Sequence, residues 1–539
     1  STSGVATDGT DYSSVNNSSL TISAGLTTAT KTFTITDDST YEGNETITVA
    51  ISTVSGGSAT ENGTQSQTIT ITENESAPTI TLTSSTSSVA ENSGTTVTLT
   101  ATSSQIADED VTVTLASSGT ATNGTDYSSL GGQTITISAG ATTGTITGTP
   151  TDDSTYEGDE TATISISSVS GGGAAESGSQ SVSIIITENE SAPTITLTSS
   201  TSSVAENSGA TVTLTATASP IADEDITVTI STSGTATDGT DYSSVNSTTI
   251  TISAGSTTGT KTFTPTDDST YEGSETAIVA ISSVSGASAT ESGTQSVTIT
   301  ITENESAPTI TLASSTTSVA ENSGTTVTLT ATSSQIADED ITVTLSTSGS
   351  ATDGDDYSSV GSTTITISAG GTTGTKTFTP TDDSTYEGSE TAIVAISSVS
   401  GASATESGTQ SVTITITENE SAPTVSIATS AESVYDNGSS LTITATSTQA
   451  SDEVITVVIE TSGTATEGVD YGNVSDIIIA AGATTGTATF NPTADTVNEG
   501  DETATISISS VSGADSSTSG TTSVNIIINE YALNTGTQD

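Results

Sequence analysis

Polar and apolar residues alternate one by one over many short stretches of this chain. Thr95-Thr-Val-Thr-Leu-Thr-Ala-Thr102, Val111-Thr-Val-Thr-Leu115, Thr134-Ile-Thr-Ile137 and Thr163-Ile-Ser-Ile166 all keep a period of two, with β-branched side chains on both faces. That period puts one face of an extended strand in a core and the other in water. No 3.6-residue apolar stripe competes with it. Carried across residues 76–190, the pattern predicts seven strands: 78–83 with a continuation through Val89, 95–103, 111–116, 133–137, 142–149, 160–167 and 179–187. Seven short strands between Gly, Asn, Asp and Ser turns indicate an all-β fold, a seven-stranded antiparallel sandwich of immunoglobulin-like size.

The pattern then returns at a fixed interval. Asp-Tyr recurs at Asp11-Tyr12, Asp126-Tyr127, Asp241-Tyr242 and Asp356-Tyr357, three steps of 115 residues, and at Asp470-Tyr471 after a step of 114. A period that strict marks one folding unit copied in tandem. Each of the first four copies carries TDDSTYEG, from Thr36, Thr151, Thr266 and Thr381, and closes on TENES, from Thr72, Thr187, Thr302 and Thr417. The expected domains are a partial repeat 1–75, full repeats 76–190, 191–305 and 306–420, a divergent repeat 421–531, and a tail 532–539 that fits neither a repeat nor an anchor. The partial repeat matches only the latter part of a unit, without the first two strands and most of the third. Such a remnant cannot close a sandwich, so the chain is expected to be a window on a longer protein, or else to borrow strands from another chain. Ser-Ala-Pro marks each boundary (Ser76, Ser191, Ser306, Ser421) and leaves almost no slack, so neighbouring domains should touch. At ~3.3 Å per strand residue this predicts beads of about 40 Å on a rod of roughly 180 Å. Phe33, Phe263, Phe378 and Phe490 share one position of the fifth strand, which is Gly148 in the second repeat.

Composition removes most chemistry. There are 64 acidic residues, three lysines, no arginine, no His and no Cys, and the formal charge is −61. Nucleic acid and anionic membrane surfaces would be repelled. The imidazole base, the thiolate nucleophile and the usual zinc, copper and iron–sulfur ligands are missing. The longest apolar run, near Ile477 to Ala481, falls far short of the ~20 residues a membrane span needs. An enzyme is therefore not expected, and cations are the simplest partners. Lys31, Lys261 and Lys376 read as surface residues of the fifth strand.

If successive strands reverse direction, the acidic turns converge. Glu91 before the second strand, Asp126 between the third and fourth, Asp152, Asp153 and Glu157 between the fifth and sixth, and Glu188 and Glu190 after the seventh all reach one pole. Seven carboxylates with no basic residue in the repeat repel one another unless protonated or neutralised by cations. Hard oxygens in that number suit Ca²⁺, with its six to eight ligands, better than Mg²⁺. Any single acid, such as Asp8, reads as a turn former, and only the convergent set reads as a site. At the opposite pole one turn carries Asp108-Glu109-Asp110 while the other, Ala139-Gly140, has no charge. Alternation alone then sets Asp223-Glu224-Asp225 near Glu188 and Glu190 of the preceding repeat, and Asp338-Glu339-Asp340 likewise. Tyr127 and Tyr156 read as core plugs beside these loops.

The string from Gly119 to Tyr127, followed by a strand, an Ala-Gly turn, a strand and Thr151-Asp-Asp-Ser-Thr-Tyr-Glu-Gly-Asp-Glu160, resembles the Calx-beta domain across the whole chain. That family is found in sodium–calcium exchangers, an integrin subunit and long bacterial surface proteins. The resemblance implies calcium at the acidic pole. Its ligand positions carry over to Glu91, Asp126, Asp152, Asp153, Glu157, Glu188 and Glu190 in the second repeat, and to Asp11, Asp37, Asp38, Glu42, Glu73 and Glu75 in the first. The third repeat matches at Glu206, Asp241, Asp267, Asp268, Glu272, Glu303 and Glu305, the fourth at Glu321, Asp356, Asp382, Asp383, Glu387, Glu418 and Glu420. The family's terminal run of aspartates is Glu-Asn-Glu here. The last copy departs further, with Ala494-Asp495, Asn498 for Tyr156 and Asp436 for Glu91. The expected function is a calcium-stiffened stalk or filament subunit of a bacterial surface adhesin, extracellular, with calcium and copies of itself or neighbouring repeats as partners. The alternative is a calcium-dependent binding or sensor ectodomain recognising a protein or a glycan.

Overall fold

A computed structural model describes residues 1–531; the predicted tail 532–539 lies outside them. Two compact units make up the chain. The first holds residues Ser1–Val204, Gly209–Thr266 and Thr276–Thr300; the second holds Ala205–Ser208, Asp267–Glu275 and the described residues from Ile301 onward.

The second repeat shows how the alternation folds. In chain order it forms β1 (Thr79–Ser84), β2 (Ser88–Ala90), a 3₁₀ turn (Glu91–Ser93), β3 (Val97–Ser103), β4 (Val111–Gly119), β5 (Thr134–Ile137), β6 (Thr143–Gly148), β7 (Thr155–Tyr156), β8 (Glu160–Ser170), β9 (Ala175–Glu176) and β10 (Ser181–Thr187). One sheet runs β9-β1-β3-β6 and the other β2-β10-β8-β4-β5. The same two sheets recur in the third, fourth and fifth repeats. The period of two is visible in β3, where Val97, Leu99 and Ala101 are buried between half-buried threonines.

Three differences from the predicted strands have local causes. The first strand breaks in two and changes sheet, because the Ser84 hydroxyl donates to the Thr86 carbonyl at 2.6 Å and Thr86 Oγ1 accepts from the Ser88 N–H. The sixth strand runs on to Ser170 through a bulge between Ile166 and Ser168, which adds a residue without ending the ladder. The third extends to Gly119, whose φ of 119° and contact with the Thr161 carbonyl leave no room for a Cβ.

The partial repeat has only the strands Thr2–Gly4, Glu45–Ala50 and Ser66–Ile71 in one sheet. The segments that match β5 and β6 form no strands, because the partners that would satisfy their backbone groups are missing. Leu20 is 55% exposed where its counterpart Ile135 is 0% exposed. Lys31 therefore does not lie in a strand, whereas Lys261 and Lys376 do.

In the third, fourth and fifth repeats a tyrosine–phenylalanine pair fills the core, with ring centroids 5.0 Å apart for Tyr242–Phe263, 5.1 Å for Tyr357–Phe378 and 4.7 Å for Tyr471–Phe490. The second repeat has Gly148 instead, and Leu130 leans into the vacated space, so that a Cβ on Gly148 would sit 2.8 Å from Leu130 Cδ1. A small apolar cavity remains there, lined among others by Val89, Val97, Tyr127 and Ile186. Gly148→Phe alone should overpack and destabilise this repeat by about 1–3 kcal/mol. Adding Leu130→Val, the residue type at Val245 and Val360, should recover that loss. Hydrogen exchange across β5 in the full chain reads the difference; a double variant no better protected than the single one would refute this account of the core.

Candidate metal centre

Backbone geometry fixes the acids before any cation is considered. Asp126 ends a tight turn: its Oδ2 accepts the Thr122 N–H at 2.5 Å and its carbonyl accepts the Thr151 N–H at 2.9 Å. Asp11, Asp241, Asp356 and Asp470 hold the matching turns through Thr7, Thr237, Thr352 and Thr466. Glu91 opens the 3₁₀ turn, is 5% exposed, and accepts the Asp153 N–H at 3.3 Å. Glu206 and Glu321 do the same for Asp268 and Asp383.

Glu188 plays a different part. Its Oε2 accepts the N–H groups of Glu157 and Gly158 at 2.5 and 2.8 Å, and its Oε1 those of Asn189 and Glu190, both at 2.9 Å. Four donors take up the four lone-pair positions of a carboxylate. Glu188 therefore serves in this structure as a clamp on the loop, and Glu73, Glu303 and Glu418 make the same contacts. Burial works against ionisation of Glu188, but the backbone donors outweigh it and hold its carboxyl below the ordinary range.

The oxygens without donors belong to other residues. Oε2 of Glu45, Glu160, Glu190, Glu305 and Glu420 is buried with no hydrogen-bond partner among the described residues. Glu160 and its counterparts Glu45, Glu390 and Glu502 were not predicted as site residues. The signal was available: Glu160 starts the register Glu160, Ala162, Ile164, Ile166, in which the later three are buried, so parity alone turns it inward at the acidic pole.

The acids of one pole form two groups. Carboxylate oxygens of Glu91, Glu188 and Glu190 lie within 4.8 Å of one another, as do those of Asp126, Glu157 and Glu160. Asp11, Glu42 and Glu45 form the second group of the partial repeat, and Glu206, Glu303 and Glu305 the first group of the third repeat. Asp152 and Asp153 stand exposed at the rim, where Asp153 Oδ1 caps the Thr155 N–H at 2.6 Å; Asp38, Asp268 and Asp383 cap likewise, with Asp37, Asp267 and Asp382 beside them, and Asn74 donates to Asp37 at 3.2 Å. Glu75 of the partial repeat accepts from Asn74 at 3.4 Å. In the fifth repeat Asp436, Asp470, Asp495, Glu499, Glu502 and Glu530 line one hollow despite the departures at Ala494 and Asn498.

Burial and neighbouring acids keep six of the glutamates protonated above their usual range. Burial and the neighbouring Asp126 push Glu160 up to about 8, and burial with Asp356 does the same to Glu390. Burial together with nearby acids pushes Glu42, Glu91, Glu157 and Glu387 up to about 7.

The pole also meets the next repeat. Tyr156 is not a core plug: β7 pairs in parallel with Ile221–Ala222 of the following repeat. Tyr41 donates its N–H to the Ile106 carbonyl at 2.9 Å and accepts the Asp108 N–H at 3.2 Å. Tyr271 packs on the core of the fourth repeat and Tyr386 on that of the fifth, where its hydroxyl bonds Asp515 Oδ2 at 3.1 Å. Tyr127, by contrast, is buried in its own core as expected.

The family model described as Calx-beta domain matches residues 1–75, 73–190, 188–305, 303–420 and 418–530. No curated protein matches the chain. Among solved structures, CBD12 from CALX1.2 is 16% identical over 41% of this chain and 99% of that one, with a TM-score of 0.19. The calcium binding domain CBD12 of CALX1.1 is 17% identical over 36% and 76%, with a TM-score of 0.18. Invasin, a bacterial integrin-binding protein, is 14% identical over 84% and 79%, with a TM-score of 0.21.

The raised carboxyls set a pH dependence. Their folded values lie above the ordinary 4.5, so the folded state binds more protons, and the stability they contribute is present below about pH 4.5 and lost as pH rises through 7 to 8. With divalent ions removed, the melting temperature should fall between about pH 5.5 and about pH 8.5. Calorimetry of the Glu160→Gln, Glu390→Gln double variant should show a shallower fall, which general charge repulsion would not produce; a parent curve that rises with pH would contradict the assignment.

Proposed function

Since the chain belongs to the Calx-beta family, whose model matches it from residue 1 to 530, we propose that it is a non-enzymatic stalk or filament subunit of a bacterial surface adhesin, exported and stiffened by calcium at the acidic pole of each repeat. The observation that carries this reading is the recurrence, repeat after repeat, of a buried carboxylate oxygen with no donor, at Glu45, Glu160, Glu190, Glu305 and Glu420. An unsatisfied buried polar group costs about 1–3 kcal/mol. A divalent cation removes that cost and the mutual repulsion together. The donor set is all hard oxygen, without imidazole or thiolate, which fits Ca²⁺. Asp126, Glu157 and Glu160 would hold one ion; Glu91 and Glu190, shaped by the Glu188 clamp, would hold another with rim oxygens from Asp152 or Asp153. Calcium supplies charge neutralisation and cross-linking here, and no bond is made or broken.

An extracellular setting is part of this proposal and suits a weak site. A site whose central Glu188 is already saturated by backbone donors has fewer charged ligands to offer. Calcium sites of extracellular modules work at about 10⁻⁴–10⁻³ M, and we assign these sites to that range.

Calcium should raise the melting temperature of the full chain relative to chelator, by an amount equivalent to about 2.7 kcal/mol per site at a hundredfold excess over Kd. Asp126→Asn with Glu160→Gln should weaken the calorimetric calcium isotherm. Identical melting curves in calcium and chelator would defeat the calcium reading. Small-angle scattering tests the stalk separately, since a particle that stays compact in both conditions rules it out.

A further inference from the structure

We propose that the calcium site at a repeat junction is completed by a carboxylate of the following repeat, Asp108, Asp223 or Asp452, so that the ion fastens two domains. This rests on the reading of the acidic pole as a calcium site, and goes beyond it by assigning a ligand from outside the domain that carries the site.

Each of these aspartates is delivered over the pole by a backbone contact across the junction. The Asp108 N–H donates to the Tyr41 carbonyl at 3.2 Å, that of Asp223 to Tyr156 at 3.2 Å, and that of Asp452 to Tyr386 at 3.3 Å. Asp108 and Asp223 open an acidic triplet whose other two members are engaged within their own repeat. Asp110 Oδ1 accepts the Ala139 N–H at 2.8 Å and Glu109 Oε2 the Gly172 N–H at 3.3 Å. Asp225 and Glu224 bond Ala254 at 2.8 Å and Ala287 at 3.2 Å in the same way. The first aspartate of each turn is exposed and has its backbone N–H on the preceding repeat.

Across the first junction stands a cluster of acids. Glu45 is 7% exposed, its Oε2 has no hydrogen-bond partner among the described residues, and its carboxylate lies within 4.8 Å of Asp11 and Glu42. Beyond its own burial and its neighbour Glu109, Asp108 feels the charges of Asp11 and Glu73 across the junction. Asp223 likewise feels Asp126 and Glu188, and Asp452 acts on Glu387 and Glu390. Three side-chain carboxylates from one domain, binding through one oxygen each, leave a shell of six to eight oxygens incomplete. A fourth from the neighbour adds oxygens and charge where both are short. By linkage, an ion so shared binds more tightly when the junction is docked, and the junction docks more tightly when the ion is bound.

The test uses the full chain with calcium alone as ligand. Asp108→Asn with Asp223→Asn removes one charge at each of two junctions, and Asp110→Asn with Asp225→Asn removes the same charge from the same turns while keeping an acceptor oxygen. Hydrogen exchange at the Asp108 and Asp223 amides, followed against calcium concentration, reads each junction, and the junctions at Asp338 and Asp452 are unaltered internal references. The first pair should raise the calcium concentration for half-protection by about tenfold or more, the scale of losing a metal-site partner, and the control pair by much less. Equal shifts for the two pairs, or none for the first, would overturn the shared ligand while leaving the calcium site in place. No calcium-dependent protection in the unsubstituted chain would remove the calcium reading itself, and this inference with it.

Discussion

The acidic poles of this protein are shaped by carboxylates that far outnumber the three lysines of the chain. In an antiparallel sandwich every second turn arrives at the same end, so a sequence that puts an acid in each of those turns must concentrate charge there. The second repeat contains no basic residue at all, and the few lysines elsewhere sit on the strand that matches β6 or its unpaired counterpart. The fold cannot relieve this charge internally. Backbone N–H groups, protons and external cations are what remain.

The pole uses the first of these selectively. Glu188 collects four N–H donors and stays ionised, while Glu160, a few ångströms of loop away and opening the strand β8, receives none on its Oε2 and is pushed up to about 8 by burial and Asp126. Two carboxylates of one residue type thus diverge because one shapes the loop and the other is left among Asp126 and Glu157. Satisfying Glu188 fixes the loop at Glu157 and Gly158, and it leaves Glu160 Oε2 without a donor. A solvated acidic face would not need both.

Much of this was legible in the alternation. The strands, the repeat and the convergence of Glu91, Asp126, Glu157 and Glu188 follow from period, spacing and chain reversal. What escaped was what depends on individual contacts. Parity marks Glu160 as inward, but the turn acids of TDDSTYEG just before it carry the stronger sequence signal. The clamp role of Glu188 depends on loop N–H groups whose directions a sequence does not express. Tyr156 carries no sign that its apolar partner lies in another repeat. The partial repeat lost more than its missing strands, because the segments matching β5 and β6 need ladder partners, and hydrophobic alternation reports the capacity to pair and not the presence of a partner. At Gly148 the core is repaired by Leu130, eighteen residues earlier, a compensation visible only once the two are side by side.

The loop Thr151–Glu160 combines functions that most proteins keep apart. Within ten residues it holds the rim acids Asp152 and Asp153, the docking residue Tyr156, and the inner acids Glu157 and Glu160. A change to its conformation therefore alters the site and the joint together. The fifth repeat shows which parts vary separately. Its rim loses an acid at Ala494 and its tyrosine at Asn498, while Asp470, Glu499, Glu502 and Glu530 still line the hollow. Rim and joint differ in the fifth repeat while these acids still line a hollow, so the hollow does not depend on a tyrosine at this position. In the second repeat the joint residue Tyr156 lies on the same loop whose Glu157 and Gly158 N–H groups the clamp Glu188 holds.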